Sequence, residues 1–88
     1  MSSNFNDSSY GSISANYIQH YKKIKFSDKE LKIIVYMCEE YNSNEIAKMM
    51  YLSKKTIDGI RLKIKNDLNA KNSIGIAKYA IWMGLYKL

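Results

Sequence analysis

From Phe26 onward, apolar residues recur at the three- and four-residue intervals of helices. Ser27 followed by Glu30 spells a capping box, in which a hydroxyl and a carboxylate satisfy each other's free backbone N–H. Phe26, just before the cap, is placed to staple against Leu31. Leu31, Ile34, Val35 and Cys38 follow at i, i+3, i+4 and i+7, which predicts an amphipathic helix ending near Tyr41. Asn42 and Glu45 repeat the box and open a short second helix carrying Ile46, Ala47 and Met50. Tyr51-Leu52 reads as a brief turn, and Ser53 caps a third helix whose inward stripe is Ile57, Ile60, Ile64 and Leu68. After a break at residues 69–72, a fourth helix runs from about Ser73 to Met83, with Gly84 as its stop. The pattern predicts an all-α domain over residues 26–88. Residues 1–25 read as a flexible tail or linker. Residues 1–15 are rich in Ser and Asn, while Tyr17, Ile18, Tyr21 and Ile24 offer spacing for one or two turns against the domain.

A short helix, a tight turn and a capped longer helix make the helix-turn-helix layout. A small residue is needed where the two backbones cross, and Ala47 supplies it. With Ile57, Ile60, Ile64 and Leu68 inward, the opposite face presents Lys54, Lys55, Asp58, Gly59, Leu62, Lys65 and Asn66, flanked by Arg61 and Lys63. A cationic helix of this width fits the DNA major groove. Gly59 costs about 1 kcal/mol relative to alanine inside a helix, which asks for a reason. On an outward face, the missing side chain lets the backbone sink toward base edges or phosphates. Asp58 repels phosphate and accepts from a cytosine amino group, so it is expected to discriminate rather than to add affinity. Leu62 is expected to meet a thymine methyl.

Charge sharpens this picture. Residues 1–45 carry five lysines against six acids, and residues 46–88 carry nine Lys/Arg against Asp58 and Asp67. Balances of −1 and +7 sum to the net +6, so the second half suits a polyanionic partner. At 88 residues the chain holds one domain with a small core. Cys38, the lone cysteine, excludes a disulfide framework and a Cys-rich zinc site, and it suits a reducing cytoplasm. The sequence lacks a membrane-length apolar run and a secretory leader, so no membrane partner is expected.

The runs FSDKELKII, NSNEIAKMMYLSKKTIDGIRLKI and NDLNAKNSIGIAKYAIWMGL resemble the LuxR-type (GerE, NarL/FixJ-like) helix-turn-helix domain, over about residues 26–86. They are most similar to output domains of bacterial response regulators in two-component systems. The resemblance implies that Ser53 and Thr56 cap the third helix and contact phosphate. It implies base contact from the positions of Asp58, Gly59 and Leu62, and backbone contact from Arg61, Lys54, Lys55, Lys65 and Asn44. Family members often carry Lys or Arg at the positions of Asp58 and Leu62 and His at Ile60, so their base readout does not transfer. The fourth helix is expected to form a homodimer interface through Ile74, Ala77, Lys78, Ile81 and Trp82. Its apolar residues also spread over Ile76, Tyr79, Ala80 and Met83. RNA polymerase is a further expected partner.

An enzyme is not expected. His20 is the only histidine and lies in the lead-in, and the glycines are too scattered to cradle a phosphate. No catalytic residue, metal or cofactor follows from the sequence. Two other readings stay open: a sigma-factor-like promoter-recognition module, and a protein-interaction module using the fourth helix. The length leaves no room for a receiver domain, so either an output half of a larger regulator or a stand-alone regulator is expected. Operator sequence, target genes and the sign of regulation are not legible.

Overall fold

The computed structural model describes residues 15–87, and five helices lie among them: α1 (Ala15–Lys23), α2 (Asp28–Cys38), α3 (Ser43–Met50), α4 (Lys54–Asp67) and α5 (Ser73–Met83). The four expected helices are α2 to α5, and no strand occurs among the described residues. The starts of α2, α3 and α4 follow the predicted chemistry. Ser27 Oγ accepts from Glu30 N at 3.1 Å while Glu30 Oε1 accepts from Ser27 N at 2.9 Å. Asn42 and Glu45 form the same reciprocal pair at 2.9 and 2.8 Å. Ser53 Oγ accepts from Thr56 N at 3.0 Å, and Asn72 Oδ1 accepts from Ile74 N at 2.9 Å.

The core gathers Ile33, Ile34, Ile46, Ala47, Ile57, Ile64, Leu68, Ile76, Tyr79 and Ala80 from α2 to α5. The stripe expected on α2 needs correction. Ile33 and Ile34 are fully buried, whereas Leu31, Val35 and Cys38 are only partly so. Packed on both α4 and α5, α2 needs an apolar arc wider than one stripe. Ile60 on α4 is likewise partly buried. Phe26 stacks edge-on against Tyr79, with ring centroids 5.4 Å apart, and Lys63 Nζ lies 5.7 Å from its centroid.

The lead-in departs most from expectation. Where one or two turns were expected within a tail, nine residues form α1, and its Tyr21 belongs to the core. The Tyr21 ring meets Tyr79 edge-on at 5.1 Å and Trp82 at 5.3 Å. His20 Nε2 lies 2.7 Å from the carbonyl of Asp67, one of the terminal acceptors that α4 cannot satisfy itself. The Ser/Asn-rich stretch expected to be flexible lies, but for Ala15, outside the described residues, as does the side chain of Tyr17.

Candidate nucleic-acid interface

The α3–α4 pair is joined by three residues. Tyr51 ends α3 in the left-handed region (φ 58°), Leu52 N donates to Ala47 O at 2.9 Å, and Ser53 caps α4. Ala47, 6% exposed, lies in the packed contact between the two helices. Ile46, Ile57 and Ile64 are fully buried, which fixes the rotation of both helices.

With 3.6 residues per turn, that rotation sorts the rest of α4 into three strips. Farthest from the core lie Lys55, Gly59, Leu62 and Asn66. All four are exposed, Leu62 at 56%, and an added Cβ at Gly59 would meet nothing within 4 Å. Among the described residues Lys55 has no hydrogen-bond or ion-pair partner. Of the face expected to be open, this outermost strip is open.

The two flanks are less free than the sequence suggests. On the flank toward α2, Lys63 Nζ pairs with Asp67 at 2.7 Å and with Glu30 at 2.9 Å. Both carboxylates raise the pKa of Lys63, and Lys63 in turn holds the Glu30 carboxyl below its ordinary value. Lys63 is committed to the fold. On the other flank, Lys54 Nζ pairs with Asp58 Oδ2 at 2.7 Å, and Arg61 Nη1 donates to Ser43 Oγ at 2.9 Å. Asp58 is held below the usual carboxylate range, first by Lys54 and then by the Ser43 hydroxyl. The carboxylate offered to a cytosine is already shared.

This flank opens on a concavity of about 690 Å³ between the amino ends of α3 and α5, lined among others by Ser43, Asn44, Lys54, Asp58, Arg61 and Lys65. Leu62 borders the same space. The sequence-predicted residues Asn44, Lys54, Asp58, Arg61, Leu62 and Lys65 are thus brought together, while Lys55 and Gly59 lie on the outermost strip. Ser53 and Thr56 stay exposed at the start of α4, their hydroxyl oxygens 2.9 Å apart.

Sequence reasoning missed Ser43, which is only 8% exposed. A signal was present. Ser43, Ile46, Ala47 and Met50 fall at i, i+3, i+4 and i+7, so the hydroxyl opens the inward stripe of α3.

On α5, Ile76, Tyr79 and Ala80 face the core. Ile74 (65% exposed), Ala77, Lys78 and Ile81 are left on the outer side, with Met83 exposed near the carboxyl end. Trp82, expected at a dimer contact, is partly buried beneath Tyr21 of α1. Among the described residues no helix is long and apolar enough to cross a membrane, and no cluster of His, Cys, Asp or Glu could hold a metal.

No curated protein and no solved structure matches the chain. A family model, GerE, describing bacterial regulatory proteins of the luxR family, matches residues 25–80, which spans α2, the α3–α4 pair and most of α5. The match covers more than half of the chain, and the chain belongs to the luxR family of bacterial regulatory proteins, as a DNA-binding helix-turn-helix domain.

Proposed function

We propose that this domain binds double-stranded DNA sequence-specifically, with α4 in the major groove and two copies joined through α5. One observation carries the reading: the outermost strip of α4 is uncovered along the helix, with Lys55 and Leu62 projecting from it and bare backbone at Gly59. A 14-residue helix is about 21 Å long and, with side chains, 10–12 Å across, close to the width of the groove. Leu62 and the backbone at Gly59 meet base edges. Lys54, Lys55, Arg61 and Lys65, with Asn44, Ser53 and Thr56, hold the sugar–phosphate strands on either side.

Dimerisation rests on the outer stripe of α5, where Ile74, Ala77 and Ile81 follow at i, i+3 and i+7 beside Lys78. A twofold contact there sets two α4 helices on half-sites one turn apart, about 34–36 Å. In this reading the chain serves a cytoplasmic two-component response regulator as its output module, and RNA polymerase is the machinery a bound dimer addresses.

A salt titration of duplex binding tests the proposal. The log of the binding constant is expected to fall linearly with log salt, by about 0.9 per neutralised phosphate. Failure to bind any duplex at low salt would overturn it in favour of a protein-interaction module.

A further inference from the structure

Two polar pairs lie side by side where α3 meets α4: Lys54–Asp58 within α4, and Ser43–Arg61 across 18 positions of sequence. The second rests on a buried hydroxyl. Ser43 is more than nine-tenths covered and takes a hydrogen bond from the Arg61 guanidinium, and its hydroxyl also helps hold the Asp58 carboxyl below its ordinary value. A buried serine in a helix contact is more cheaply replaced by alanine unless its hydroxyl is used.

The geometry shows a use. Arginine carries five N–H donors in a planar fork, and one hydrogen bond to Ser43 fixes that fork while leaving others for a ligand. The fork lies at the amino end of α3, beside Asn44, on a concavity that also receives Lys54 and Lys65. Backbone amides at a helix amino end and a fixed guanidinium together suit a tetrahedral anion.

Taking the DNA-binding reading as given, we infer that Ser43 is a positioning residue, which holds Arg61 so that it meets, together with Lys54, one backbone phosphate of the duplex at the amino end of α3. Asp58 then acts on every sequence alike, as an internal counter-ion that competes with that phosphate for Lys54. It does not read a base. Phosphate arriving at the concavity replaces Asp58 as the partner of Lys54, while the Ser43–Arg61 bond stays in place.

Binding is measured on two duplexes of equal length, one recovered by selection with the whole chain and one unrelated, across a salt series. Ser43→Ala is expected to weaken both by a similar factor, on the order of fivefold, because one orienting hydrogen bond is lost. Its salt slope stays that of the wild type, since no charge is removed. Arg61→Ala is expected to weaken both and to reduce the slope by about one. The double variant is expected to match Arg61→Ala alone, since Ser43 acts through that arginine. Ser43→Thr, which keeps the hydroxyl, restores binding, and helix content with melting temperature identifies any variant that fails to fold. Asp58→Asn is expected to strengthen both duplexes and steepen the slope as Lys54 is freed.

Three results would overturn the inference while leaving DNA binding intact: wild-type affinity in Ser43→Ala, additive losses in the double variant, or an Asp58→Asn change confined to one base pair. If the wild-type chain binds neither duplex, the functional reading and the inference fall together.

Discussion

Gly59 offers a test in which stability and binding should move in opposite directions. The residue lies mid-helix on the outermost strip of α4, and a Cβ built there finds no atom within 4 Å. Gly59→Ala therefore adds a methyl group without a clash and without apolar contact. What remains is the backbone term. Alanine is favoured over glycine in a helix interior by about 0.8–1.0 kcal/mol, chiefly because the unfolded chain has less freedom to lose. In a domain of this size about 1 kcal/mol raises the melting temperature by about 4–8 °C. On DNA the same methyl stands between the α4 backbone and the base edges. Losing one good base-edge contact costs about 1–3 kcal/mol, so affinity for a selected duplex should fall about fivefold or more. Circular dichroism melts and anisotropy titrations at one salt concentration measure both effects. A variant that melts higher but binds equally well would refute close backbone approach at Gly59. One that melts no higher would refute the placement of Gly59 on an open helical face.

Other perturbations follow from the same contacts. Tyr21→Ala removes a ring enclosed by Tyr79 and Trp82 and should destabilise the domain by about 3–5 kcal/mol in urea unfolding, followed by Trp82 fluorescence; a change near zero would mean that α1 is not part of the folded unit. Ile74→Glu should leave the melting temperature within a degree or two, since the side chain is 65% exposed, yet abolish cooperative filling of a two-half-site duplex in sedimentation, so that a complex with one bound chain accumulates before one with two. Glu30 has its carboxyl pKa lowered from 4.5, first by Lys63 and then by the Ser27 backbone N–H. The folded state thus binds fewer protons than the unfolded one there, so this stability is complete above about pH 4.5 and is lost as pH falls through the lowered folded value. Glu30→Gln should flatten that part of the acid limb in urea midpoints, and an unchanged limb would show that the Lys63 pair is not held in solution.

The helices were legible because their starts are written in local chemistry. Ser27/Glu30, Asn42/Glu45 and Ser53 act within three residues of themselves, so spacing alone places α2, α3 and α4. The outward strip of α4 was legible for a related reason, since Ile57, Ile64 and Leu68 fix its rotation. Long-range events were not. The ring of Tyr21 packs on Tyr79 and Trp82, more than 50 positions away, and the spacing that suggested one or two turns in the lead-in does not record those partners. Nor does spacing reveal that Glu30 takes Lys63, or that Ser43 takes Arg61. Each bond joins residues on different helices, and each ties down a cation that the helical pattern had placed beside the open face. Gly75 makes the same point for a loop. A Cβ there would lie 2.7 Å from that of Ala70, so the glycine lets residues 69–72 fold back on α5, and no local pattern records the approach.

The placement of α4 in the major groove is tested most directly by chemical interference on a selected duplex. Guanine N7 faces the major groove and adenine N3 the minor groove. Methylation at guanine N7 should block binding at two clusters about one helical turn apart, while methylation at adenine N3 between them leaves binding unaffected. Blocking by adenine N3 with guanine N7 indifferent would put the protein in the other groove and contradict the account.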